Sequence, residues 1–129
     1  MERTLRKPLE ESGLTEKVIG AAIAVHKELG PGFIESVYET ALVHELKKRG
    51  LAVGQQIEVP VIYDGIEAGR HRLDLLVEGK LVVELKAARS LEDAHFSVVR
   101  SYLRAIKQKH GLLLNFSAPV LEIRRVIAP

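Results

Sequence analysis

Apolar residues recur at helical spacing through Leu14, Val18, Ala22, Val25 and Leu29, which predicts a helix with Thr15 as N-cap and Gly30 as its stop. Gly30-Pro31-Gly32 then breaks the chain. Ile34, Val37, Tyr38, Ala41, Leu42 and Leu46 make the apolar stripe of a second helix, from about Glu35 to Arg49, ended by Gly50. Beyond it the period changes to alternation. Gln56 to Tyr63 is rich in β-branched residues and closes on Asp64-Gly65, and Pro60 inside it has no N–H for a ladder, so this strand belongs at an edge or a bulge. Two further runs, between about His71 and Ala88, fold about Glu78-Gly79-Lys80 as a hairpin. A third helix is predicted from Leu91 to about Lys109, with Ser90 as N-cap and Glu92 and Asp93 in the first turn, where the helix dipole favours them. Gly111 to Phe116 and Leu121 to Ile127 read as the last strands. The order is α-α-β-β-β-α-β-β. Apolar strands on both sides of the third helix predict a crossover between parallel neighbours. The expected fold class is therefore α/β, a mixed β-sheet flanked by helices.

The hairpin carries the chemistry. Folding it about Gly79 opposes Val77 to Leu81, Leu75 to Val83 and Leu73 to Leu85 on one apolar face. The other face opposes Leu76 to Val82, Asp74 to Glu84 and Arg72 to Lys86. Two carboxylates placed opposite each other, at about 5 Å, repel by roughly 3 kcal/mol at an effective dielectric near 20. A positive charge is expected between them. A divalent cation meets that need; so do diagonal salt bridges from Arg72 and Lys86 on a solvated face. At this stage both remain open.

Composition narrows the classes. At 129 residues one domain is expected, with residues 1–13 as a flexible N-terminal arm and residues 14–129 as the folded unit. The chain has no cysteine, which excludes a disulfide framework and thiolate metal sites. No apolar run approaches the ~18 residues of a membrane span, and the charged N-terminus lacks a signal-peptide core. These features fit a cytoplasmic location. Net charge is +2, so nucleic-acid binding would have to come from a local patch. There is no paired-histidine zinc spacing, phosphate-binding glycine loop or G-x-S-x-G elbow.

Asp74, followed ten residues on by Glu84-Leu85-Lys86, resembles the signature of the PD-(D/E)xK nuclease superfamily. Gly32-Phe33-Ile34-Glu35-Ser36-Val37-Tyr38 resembles the G-x-x-E-x-x-Y motif of the GxxExxY protein family, regarded as a branch of that superfamily. The similarity extends over roughly residues 14 to 127, through Val25 to Gly32, Gln56, Pro60-Val61, Tyr63, Tyr102-Leu103 and Gly111 to Phe116. One position departs from the related Q-x-x-x-Y pattern: Val98 stands four residues before Tyr102.

The resemblance implies a restriction-endonuclease-like fold and metal-dependent hydrolysis of DNA or RNA. Asp74 and Glu84 would be central ligands of Mg²⁺ or Mn²⁺, and Glu35 a third carboxylate. Lys86 would orient or deprotonate water, or stabilise phosphate charge. Each residue also has a plainer reading: strand charges for Asp74 and Glu84, a salt-bridge partner for Lys86, and a helix-start acid for Glu35. Tyr38, one turn beyond Glu35, either hydrogen-bonds a ligand carboxylate or belongs to the core. Arg72 either meets a phosphate or pairs with Glu84. Arg100 and Arg104, with Lys107, Lys109, His110, Arg124 and Arg125, make either a phosphate-binding surface or a solvated helix face. The alternative function is a catalytically inactive nucleic-acid-binding or protein-interaction module on the same fold. So small a core is compatible with a homodimer.

Overall fold

Among the described residues five strands, each hydrogen-bonded to its neighbours in sequence order, form one sheet at the centre of the molecule. The computed structural model describes the backbone of residues 6–129 and the side chains of residues 13–129. Helices α1 (Arg6–Leu29) and α2 (Glu35–Lys48) precede strands β1 (Val53–Tyr63), β2 (Ile66–Val77) and β3 (Leu81–Lys86). Helix α3 (Asp93–Ile106) then leads to β4 (His110–Asn115) and β5 (Glu122–Ile127). Among the described strands only the β3–β4 pair is parallel, and α3 makes that crossover. Pro60 lies on β1, an edge strand, beside a register shift at Val61/Ile62.

The helices divide between the two faces. Val18, Ala22 and Val25 of α1 and Leu42 and Leu46 of α2 pack with Leu75, Val83, Leu85, Leu112 and Leu114. Val99 and Leu103 of α3 pack on the other face with Leu73, Val82, Leu113 and Val126. On β3 and β4, successive side chains therefore alternate between two buried layers.

Helix α1 starts at Arg6, not near Leu14, so the expected arm yields residues 6–13 to the helix. Pro8 is tolerated there because first-turn N–H groups have no helical partner. Residues 1–5 lie outside the described residues. Thr15 is thus inside α1 and not its N-cap. Helix α3 is capped by Glu92, not Ser90: a reciprocal box joins the Glu92 side chain to the His95 N–H and the Glu92 N–H to His95 Nδ1 at 3.0 Å. The helix also stops earlier than Lys109, because Lys107 adopts a left-handed conformation at φ 59°.

Candidate active site

The predicted hairpin register holds for Val77/Leu81, Leu76/Val82 and Leu75/Val83, and there the ladder ends. Asp74 and Glu84 do not form the next rung. Instead the Asp74 carboxylate turns into the gap, and its Oδ2 accepts a hydrogen bond from the Leu85 N–H at 2.9 Å. A side chain thus takes the place of a strand, and β2 parts from β3 at this point.

The strand also rotates here. Leu75 and Val77 lie in the layer under α1 and α2, whereas Leu73 lies in the layer under α3. Positions of the same parity therefore change faces across Asp74. On the neighbouring strand Gln56 drops out of the ladder between Gln55↔Leu75 and Ile57↔Leu73 and adopts φ 49°. A left-handed residue other than glycine is uncommon and marks local strain. Here it directs the Gln56 amide to both oxygens of Glu39, at 3.0 Å, and to Asp74 Oδ1 at 3.4 Å.

Glu84 alternates with the buried Val83 and Leu85 and shares its face with Val82, under α3. It is 6% exposed, and its Oε1 has no hydrogen-bond partner. Burial pushes its carboxyl up to about 8; the charge of Asp74 adds to the rise, and Lys86 opposes it. Asp74 is raised as well, first by burial and then by Glu39 and Glu35, against the lowering effect of the Leu85 N–H and Gln56. An unpartnered buried carboxylate oxygen costs about 1–3 kcal/mol or more. A hard cation would satisfy such a pair, and the oxygen-only donors are of the type that Mg²⁺ or Mn²⁺ takes. Among the described residues no group of three or more His, Asp or Glu side chains converges as a metal cluster.

The other predicted residues divide between the surroundings of this pair and positions away from it. Lys86 is half-buried beside Glu84 and makes no ion pair among the described residues. Its strand end is fixed from β4: Phe116 N–H donates to Lys86 O at 2.9 Å, and buried Asn115 exchanges hydrogen bonds with Ala88 N–H (3.0 Å) and Ala88 O (2.8 Å). Glu35, at the start of α2, reaches across to accept from the Ala87 N–H at 3.2 Å. Tyr38 touches neither Asp74 nor Glu84. It is fully buried, stacks on Phe116 at 4.6 Å, donates to Gly30 O at 2.6 Å and accepts from Phe33 N–H at 3.2 Å. It therefore holds the loop that leads into Glu35.

Arg72 pairs with Glu58 at 3.2 Å, not with Glu84. Tyr102 donates to Arg72 O at 2.9 Å, and burial, reinforced by Glu84 and Asp74, pushes its hydroxyl up to about 12. Arg100 and Arg104 form no ion pair among the described residues, but the wider basic surface divides. Arg125 pairs with Glu16 of α1 at 3.0 Å, while Arg124, alternating with it along β5, pairs with Glu122 at 3.3 Å. His26 is satisfied structurally, its Nε2 bound to Ala118 O at 2.9 Å.

Glu39 escaped the sequence reading, although it lies one turn after Glu35 on the same helix face. Gln56 entered it only as part of the family resemblance, without a role at the site, because nothing in its chemistry announces a left-handed backbone.

Asp74 within β2, Glu84 and Lys86 on the neighbouring β3 and Glu35 at the start of α2 make up the candidate site. The sequence profile of the PD-(D/E)XK nuclease superfamily matches residues 12–126, and the chain belongs to that superfamily. Among solved structures, the crystal structure of SSO0001 superposes with a TM-score of 0.60 at 18% identity, over 74% of this chain and 50% of that one. This likeness shows the fold alone, a restriction-endonuclease-like mixed sheet between helices, and the chain spans about half the length of that relative. No curated protein matches the chain. Among the described residues no helix is long and apolar enough to cross a membrane.

Proposed function

We propose that this protein is a metal-dependent nuclease that hydrolyses phosphodiester bonds of DNA or RNA. One observation carries the reading: Glu84 is buried, charged only at a penalty, and has an unpartnered oxygen next to a second raised carboxylate. An inert module gains nothing from that arrangement. Asp74 and Glu84 would hold Mg²⁺ or Mn²⁺, with Glu35 and Glu39 adding negative charge from α2. When bound, such an ion activates water and neutralises charge on a phosphoryl oxygen.

The remaining work falls to the chain itself. Lys86 presents its ammonium beside Glu84, where it orients the attacking water and stabilises charge that develops on the phosphoryl group. Asn115 and Phe116 fix the strand end that carries it. Gln56 steers Asp74 through Oδ1, and the Leu85 N–H holds Oδ2. Arg100 and Arg104, which form no ion pair among the described residues, would meet the nucleic-acid backbone, and Arg72 would join them only by giving up Glu58. Gly32, Glu35 and Tyr38 together agree with membership of the GxxExxY branch, with the tyrosine as the clamp on the loop.

The test is cleavage of labelled single- and double-stranded DNA and RNA with Mg²⁺ or Mn²⁺, comparing wild type with Lys86→Ala and Glu84→Ala. Metal-dependent cleavage by the wild type should fall by roughly 100-fold or more in each variant. Wild-type rates in both variants, or no cleavage of any of these substrates, would overturn the mechanism.

A further inference from the structure

The outer half of the β1–β2 hairpin and α3 line a half-open cavity of about 450 Å³ that Asp74, Glu84 and Lys86 do not line. Its size suits a small ligand. Val61 and Ile62 form one wall, and His71, Ser101, Arg104 and Lys107 supply the polar side. The hydrogen bonding of His71 is resolved by its neighbour. Ser101 Oγ–H donates to Val98 O at 2.6 Å, so the 3.0 Å contact between Ser101 Oγ and His71 Nε2 uses the histidine's N–H as donor. The ring is locked further by an edge-on contact with Tyr102, at 4.9 Å between centroids. Tyr102 in turn holds the Arg72 backbone two residues from Asp74.

Arg104 and Lys107 are exposed, line the cavity together and form no ion pair among the described residues. Lys107 occupies the left-handed position that ends α3, where glycine is the usual residue. A lysine there strains the backbone, and its side chain lines the cavity. Val61 and Ile62 supply apolar surface against which an aromatic base can pack, beside the few convergent polar groups typical of ligand pockets.

We propose that this cavity is a nucleotide subsite, with the phosphate on Arg104 and Lys107 and the base against Val61 and Ile62. It lies on the same strand as Asp74, about 10 Å along β2 from it. It therefore receives a nucleotide of the strand flanking the scissile phosphate. This inference rests on the nuclease reading for its biological sense, but binding tests it without cleavage.

The experiment is isothermal titration in EDTA of the whole protein with 5′-AMP and with a single-stranded hexanucleotide, using wild type, Arg104→Ala and Lys107→Gly. Lys107→Gly is the decisive variant, because it relieves the left-handed backbone while removing the charge. Its thermal midpoint should stay level or rise while binding weakens at least tenfold; Arg104→Ala should weaken binding to a similar extent. Binding of 5′-AMP that competes with the hexanucleotide assigns the cavity to a free nucleotide as well as a strand; variant-sensitive binding of the hexanucleotide alone assigns it to the strand. Wild-type affinity in both variants, or no wild-type binding to either probe, overturns the subsite. Loss of cleavage with variant-sensitive binding intact would defeat the nuclease reading and leave the subsite standing.

Discussion

Glu84 is the residue whose environment is most costly and most informative. Its carboxyl moves from 4.5 to about 8, chiefly by burial. Between those values the folded protein keeps a proton that the unfolded chain has released, so stability falls as pH rises across that window and levels off above it. The loss amounts to a few kcal/mol, and the raised Asp74 acts in the same direction. Urea denaturation in EDTA should therefore show a wild-type midpoint that drops from about pH 5 to about pH 8 more steeply than that of Glu84→Gln. Mg²⁺ or Mn²⁺ at the upper end should restore much of the wild-type loss and leave the variant unmoved. A wild-type profile no steeper than the variant's would count against an uncompensated buried carboxylate.

At the level of elements, the entry to α2 depends on Tyr38. Ile34 occupies the N-cap position without a side-chain hydrogen bond, so the helix start is not secured by its own cap. The Tyr38 hydroxyl secures it instead, through Gly30 O and the Phe33 N–H. Tyr38→Phe keeps the stack on Phe116 but strands both backbone groups, and should destabilise the fold by about 1–3 kcal/mol. Because the same loop delivers Glu35 to the Ala87 N–H, hydrogen exchange at Ala87 should quicken in the variant. Unchanged exchange there would separate the loop from the site.

For the whole molecule, the close approach of α3 to the parallel β3–β4 pair sets how the two strand ends meet. Gly111 permits it: a Cβ at that position would lie 2.9 Å from Val99 Cγ1 and 3.4 Å from Val82 O. Val99 is β-branched and cannot swing clear. Gly111→Ala should cost about 1–3 kcal/mol by overpacking, measured by denaturant titration. Combined with Val99→Ala it should cost less than the two changes summed, since each relieves the other. Strict additivity would mean that the helix shifts freely on the sheet.

Much of this was legible in the chain. The element order, the edge position of the Pro60 strand, the inner hairpin register and the parallel crossover follow from local periodicity, turn residues and the missing proline N–H, all of which act over a few residues. The Asp74, Glu84 and Lys86 signature was legible for the same reason, being carried by two adjacent strands. Tertiary structure decided where those residues sit and what surrounds them. The ladder stops before Asp74 because its carboxylate captures the Leu85 N–H, a competition between a side chain and a strand that periodicity does not register. Leu73 and Leu75 face different layers because the sheet rotates between them, although their parity is the same. Arg124 and Arg125 separate because neighbours on a strand point to opposite faces. Charge, burial and hydrogen-bond supply at Glu84 come from β2, β3 and the two helical layers at once. No local stretch of sequence contains that sum, and it is the sum that creates the site.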